Sequence, residues 1–195
     1  MTQAHRIETE RLVIRCWDPA DAALLKEAVD ASLDHLREWM PWAAAEPTTL
    51  EEKRALLESF ARMFERGEDH VYGIFDRDEG RVVGGTGLHP RLTGDAREIG
   101  YWIRADAIGR GLATESTAAL TRVGFELDGL EWMEIHCDPG NLRSAAIPRK
   151  LGYTQAEERD GQGHLIFRLL RAQYPGSTSA SATLRAFDTA GTPLL

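Results

Sequence analysis

Gly109 and Gly111 stand two residues apart in DAIGRGLATES, just ahead of a stretch in which Leu112, Ser116, Ala119, Leu120, Val123 and Leu127 recur at helical spacing. Two missing Cβ atoms at a helix start leave bare backbone open to close approach. The first N–H groups of a helix have no intrahelical acceptor, and the helix dipole adds partial positive charge there. Such a place suits a diphosphate. A glycine turn before a helix also serves as a mere turn, so this spacing alone leaves both readings open. Further on, Trp132–Cys137 alternates as a strand, with Glu134 and His136 on one face and Met133, Ile135 and Cys137 on the other. A histidine titrates near neutrality and can take up a proton, or can simply be a packed side chain. Cys16 and Cys137 are too few and too far apart for a disulfide framework or a metal cluster. They are expected to be reduced, half-buried thiols, and no metal is expected.

The elements that must position these residues follow from periodicity and punctuation. Arg11–Cys16 is a short apolar strand, and Asp18-Pro19 starts a helix running to about Val29 with Leu24, Leu25 and Ala28 inward. In HLREWMPWAAAEP, Trp39, Met40, Pro41 and Trp42 crowd together, either as a plug over the core or as the wall of a pocket. Thr48 or Thr49 caps a helix to Arg66, with Leu57, Phe60 and Phe64 as its core stripe. Val71–Asp76 and Arg81–Leu88 form a hairpin around Arg77-Asp78-Glu79-Gly80. Glu98–Arg104 is the strand before the glycine turn, and the helix after it spans Thr114 to about Phe125. Asp138-Pro139-Gly140 ends the Trp132–Cys137 strand, and a short helix follows from Leu142 to Leu151 with Gly152 just past its end. Tyr153–Glu158 and Leu165–Leu170 make a second hairpin. Residues 1–174 are expected to form one domain, and 175–195 a small-residue linker with a possible small hairpin around Asp188–Gly191. The order of elements predicts an α/β (α+β) fold with a mixed, mostly antiparallel sheet. The two strands flanking the central helix are expected to be parallel.

At 195 residues, 43% hydrophobic and 28% charged, the composition is that of a soluble globular domain. No apolar run spans a bilayer and the polar start MTQAHRIETE lacks a signal-peptide core, so a cytoplasmic protein without membrane association is expected. A formal net charge of −8 gives no electrostatic footprint for nucleic acid. It favours the approach of cationic substrates such as amines.

The order strand, glycine turn, helix, strand, Asp-Pro-Gly-Asn-x-x-Ser, helix, Lys-Leu-Gly-Tyr resembles the GNAT superfamily of acyl-CoA-dependent N-acetyltransferases. More narrowly, it resembles the branch containing the ribosomal-protein N-terminal acetyltransferases RimJ and RimL. The phrases that carry the resemblance are RLVIR, HLREWMPWA, EIGYWI, GRGLATES, NLRSAAIPRKLGY and LLRAQYP, spread over most of residues 7–175. One position departs from the pattern: Ile108 stands where the family usually has Gln or Arg, which removes a side-chain contact and leaves the backbone cradle.

The resemblance implies a GNAT fold with helices on both faces and a splay between the two central parallel strands. It implies acetyl-CoA as co-substrate, lodged in that splay. The pyrophosphate would rest on the glycine turn and helix start (Gly109, Arg110, Gly111, Leu112, Ala113 and Thr114), and the pantetheine arm along the strand that includes Ile103. Asn141 would contact the pantetheine amides, and Ser144 would face the sulfur. Transfer would be direct, from thioester to a primary amine in a ternary complex. Glu98 is then the expected base for the amine and His136 the alternative, with a strand N–H near Tyr101 or Trp102 for the oxyanion. Helix capping would equally explain Asn141 and Ser144. Pro148 cannot donate to the Ser144 carbonyl; it either exposes that carbonyl near the cofactor or ends the helix early. Trp39, Trp42 and Trp102 would wall the acceptor pocket. An acyl-enzyme on Cys137 would need an activating neighbour, and none is evident. A longer acyl donor such as succinyl-CoA, or a non-catalytic acyl-CoA-binding domain, are the alternatives. The acceptor is a small-molecule amine or a protein N-terminus, and the protein a monomer or homodimer.

Overall fold

The computed structural model describes residues 3–195. Strands β1 (Arg6–Glu8) and β2 (Leu12–Cys16) lead into a 3₁₀ turn, Pro19–Asp21, and helix α1 (Ala22–Asp30). Asp18 and Asp21 cap that turn reciprocally. Helix α2 (Leu33–Trp39), a 3₁₀ turn at Pro41–Ala45 and helix α3 (Leu50–Glu65) complete the N-terminal part. Thr49 and Glu52 form a capping box on α3, and Leu57 and Phe64 from its stripe are buried.

Strands β3 (His70–Asp76), β4 (Val82–His89) and β5 (Ala96–Ile103) then form an antiparallel meander. Helix α4 (Leu112–Glu126), β6 (Trp132–Cys137), α5 (Leu142–Leu151), β7 (Thr154–Arg159), β8 (Leu165–Leu170) and β9 (Arg185–Phe187) follow. Among the described residues, nine strands join one sheet in the order β7-β8-β6-β5-β4-β3-β2-β1-β9. Every pairing is antiparallel except β5 with β6, which are parallel as expected.

Helices cover both faces. One core packs Leu112, Ala119, Leu120 and Val123 of α4 and Ala145 and Leu151 of α5 on Ile14, Ile99 and Ile135 of the sheet. The other packs Leu25, Ala28, Leu36 and Leu57 of α1–α3 on Val13, Phe75 and Val82. Alternation along β5 serves both: Ile99 and Ile103 join the first core, and Trp102 packs against the second.

Two elements were not anticipated: strand β1, three residues long, and α2, which lies inside the aromatic run with only Leu36 fully buried. β9 falls where a small hairpin around Asp188–Gly191 was expected as a possibility. From residue 175 the chain is folded onto the body. Its small residues permit close approach: Ser179 is fully buried and donates to the Leu151 carbonyl (3.3 Å), and Arg122 of α4 donates to the Ala182 carbonyl (2.8 Å). β9 then pairs antiparallel with β1, and a tight turn at Asp188–Gly191 brings Pro193 back to Phe187.

Candidate active site

Helix α4 begins on a bare backbone turn. Gly109 and Gly111 both have positive φ (76° and 79°), a left-handed conformation that side-chain-bearing residues rarely adopt. Gly111 is the N-cap, and among the described residues no side chain caps the helix. A Cβ on Gly109 would meet nothing within 4 Å among the described residues, so open space lies beside it. The acid in the first turn, Glu115, faces away into Thr9 (2.6 Å) and Arg11. Arg11 also donates to the Arg110 carbonyl (2.8 Å), which pins the turn from behind. The first amides of α4 are thus left for a ligand, and an anion fits there by charge and by shape.

The turn opens into a cavity of about 710 Å³ whose walls include Gly109, Gly111, Leu112, Ala113, Thr114, Ile103, Asn141 and Ser144. Strand geometry creates that space. β5 and β6 pair only at Ala96–Trp132, Arg97–Met133 and Glu98–Glu134, after which β5 runs on to Ile103 and β6 to Cys137 without pairing to each other. The edge of β5 beyond Glu98 that faces β6 therefore keeps unpaired backbone groups, suited to an extended ligand lying alongside. Arg143 and Lys150 on α5 add positive charge to the same wall.

Asn141 caps α5 by accepting the Ser144 N–H at 3.0 Å, so its side-chain carbonyl is occupied and its NH₂ remains available. The Tyr101 hydroxyl lies 3.0 Å from Ser144 Oγ and 3.2 Å from the Ser144 carbonyl oxygen. That carbonyl lacks its helical donor because residue 148 is proline, and Tyr101 supplies one. The helix is not ended early: α5 continues to Leu151. Burial holds the Tyr101 phenol protonated, far above its ordinary range. Burial also pushes the Cys137 thiol up, against a thiolate nucleophile.

The aromatic run divides. Trp39, at the end of α2, and Trp102 line the cavity, and the Trp39 ring reaches across to the Gly140 turn. Trp102 lies flat on the sheet because β4 has glycine opposite: a Cβ on Gly85 would fall 2.5 Å from the indole nitrogen. Trp42 stands outside the cavity wall, 42% exposed, edge-on to Trp102 at 6.1 Å.

Glu98 is not in the cavity wall either. It occupies the last paired position before the splay, ion-paired to Arg91 at 2.7 Å, with His136 Nδ1 3.9 Å away. His136 is held at both ring nitrogens: Nε2 meets Glu134 at 2.7 Å and Nδ1 meets Asp160 at 3.3 Å. Burial pulls its pKa down, but the hydrogen bonds to Glu134 and Asp160 and the charges of Glu98 and Glu134 outweigh this and leave it above the ordinary value. A protonated ring enclosed by carboxylates is poorly placed to accept a proton. Tyr101, as a side chain, is the neighbour that sequence reasoning missed; the only signal was Pro148, which announced a carbonyl in need of a donor.

A mixed sheet thus opens between two parallel strands, with an uncapped helix at its mouth. The chain belongs to the acetyltransferase (GNAT) domain family, whose model matches residues 11–154. It is 25% identical over 153 residues to the Escherichia coli [ribosomal protein uS5]-alanine N-acetyltransferase, covering 76% of this chain and 77% of that one. It is 26% identical over 154 residues to Bacillus subtilis YdaF, covering 78% and 83%. Among solved structures, Mycobacterium smegmatis RimJ in complex with CoA-disulfide shares the fold, with a TM-score of 0.74 and 22% identity over 87% of this chain and 86% of that one.

Proposed function

We propose that this acetyltransferase carries an acetyl group from acetyl-CoA directly to a primary amine in a ternary complex. The observation that carries the reading is the continuity of one cavity from the uncapped start of α4 to the Tyr101–Ser144 pair in the splay. The diphosphate is assigned to the amides of residues 110–114, and the pantetheine arm to the free edge of β5 with the Asn141 NH₂ as a donor. Arg143 and Lys150 would meet the remaining phosphate charge. Ser144 is assigned to the sulfur, and an N–H near Tyr101 to the oxyanion. Glu98, at the apex of the splay, takes the amine's proton directly or through water. The acceptor enters beside Trp39 and Trp102, with Trp42 supporting the latter. Relatives named for ribosomal proteins favour a protein N-terminus as acceptor and a cytoplasmic setting.

The test is release of CoA thiol from acetyl-CoA with peptides bearing free α-amines against a panel of small amines. Glu98→Gln is expected to lower kcat at least tenfold and leave the calorimetric acetyl-CoA affinity within about twofold. Full activity of E98Q at neutral pH would remove Glu98 from this role. Binding without turnover on any amine would favour a non-catalytic acyl-CoA-binding domain.

A further inference from the structure

Three observations meet. Pro148 sits inside α5 and has no N–H for the Ser144 carbonyl. The Tyr101 hydroxyl lies within hydrogen-bond distance of that carbonyl and of Ser144 Oγ, at 3.2 and 3.0 Å. Tyr101 and Ser144 both line the cavity.

We propose that Tyr101 is a positioning residue that orients the Ser144 hydroxyl toward the leaving sulfur, and that Pro148 enables this by leaving the Ser144 carbonyl free to anchor Tyr101. This rests on the cofactor placement proposed above. A phenol has one proton and here two acceptors. The proton is shared between them, and the carbonyl, which has no helical donor, fixes the phenol beside Ser144 Oγ. As the acyl C–S bond breaks, its electron pair stays on sulfur and the amine nitrogen forms the new bond to the acyl carbon. Ser144 Oγ–H then donates a hydrogen bond to the thiolate, while the Tyr101 O–H, anchored by the carbonyl, supports Ser144 Oγ from behind. Neither hydroxyl loses its proton. The proton given up by the amine to Glu98 or water returns through solvent to the CoA thiolate, so the step balances. A hydroxyl that itself receives a hydrogen bond is a better donor, which is what Tyr101 contributes.

The test combines three variants, each assayed for kcat and for acetyl-CoA affinity by calorimetry. Tyr101→Phe is expected to lower kcat about tenfold with acetyl-CoA affinity within about twofold, the worth of one hydrogen bond made in the transition state. Because Tyr101 acts through Ser144, the Y101F/S144A double variant is expected to be no slower than Ser144→Ala alone. Pro148→Ala keeps the Tyr101 and Ser144 side chains and supplies an N–H to the Ser144 carbonyl. It is expected to raise Tm, since alanine suits a helix interior, and yet to lower kcat several-fold. A merely structural role for Pro148 would move kcat and Tm together. Unchanged kcat in Y101F, or losses that multiply in the double variant, would overturn the proposal while leaving acetyl transfer itself standing. Should Y101F not fold, P148A decides: a higher Tm with undiminished kcat overturns the proposal. A wild-type protein that binds no acetyl-CoA would overturn both readings.

Discussion

His136 shows how neighbours decide what a residue can do. Taken with its strand alone, an imidazole beside a candidate thioester site is an available base. In the fold, Glu134 and Asp160 occupy its two ring nitrogens, with Glu98 3.9 Å from Nδ1, and Arg168 bonds the other side of Glu134 at 2.6 Å. Asp160 also holds His164 at 2.8 Å, and its own pKa is depressed by that bond and by backbone N–H donors, against the opposing effect of burial. The folded pKa of His136 lies above its unfolded value, so folding favours the protonated ring. The stabilisation from this ring is therefore complete below about pH 6.5 and fades as pH rises through the raised value. His136→Gln removes it. The Tm difference between wild type and H136Q is expected to be largest near pH 6 and to shrink by pH 9 in thermal melts. A difference that grows with pH would mean that the ring is held neutral, and would restore it as a candidate base.

At the scale of elements, the site depends on how α4 starts. Two consecutive demands meet there: positive φ at Gly109 and Gly111, and amides with no capping side chain. Gly111→Val places a β-branched residue at φ 79°, at a cost of roughly 1–2 kcal/mol, and tilts the amides that follow. Acetyl-CoA affinity is expected to fall tenfold or more in a variant that still melts cooperatively. Calorimetry showing unchanged affinity would refute the phosphate role of this turn. This element was legible in the sequence because glycine spacing and helical periodicity are local signals. So were β6, α5 and the parallel pairing of β5 with β6, which the chain order alone dictates. Helix α2 was not legible, since HLREW carries one fully buried residue and no stripe long enough to reveal a period. Nor was the separation of Trp39 and Trp102 from Trp42. It follows from Gly85 giving the Trp102 ring room and from Trp39 packing near the Gly140 turn, contacts made across the fold and invisible in a single run of residues.

At the scale of the whole molecule, the splay that makes room for a ligand also weakens the sheet. Only three residue pairs join β5 to β6, and those pairs connect a three-stranded part (β7, β8, β6) to a six-stranded one. The chain after residue 174 bridges the same division. Its first turns bury Ser179 against Leu151 of α5 and bond Ala182 to Arg122 of α4, while β9 pairs with β1 at the far edge of the sheet. Leu184 and Ala186 enter the core shared by α4, α5 and the sheet. Removing residues 177–195 would expose Ile7 and lose the burial of Leu184 and Ala186, a cost of roughly 3 kcal/mol at about 1.5–3 kcal/mol per large apolar side chain. For a chain of this size that corresponds to a Tm lowered by about 6–12 °C. Because α4 and α5 both carry candidate cofactor contacts, the truncated protein is also expected to bind acetyl-CoA more weakly at a temperature where it is still folded. Calorimetry and thermal melts on the two lengths test both points. If truncation lowers Tm and leaves affinity unchanged, the tail steadies the sheet and does not set the spacing of the two helices across the cavity.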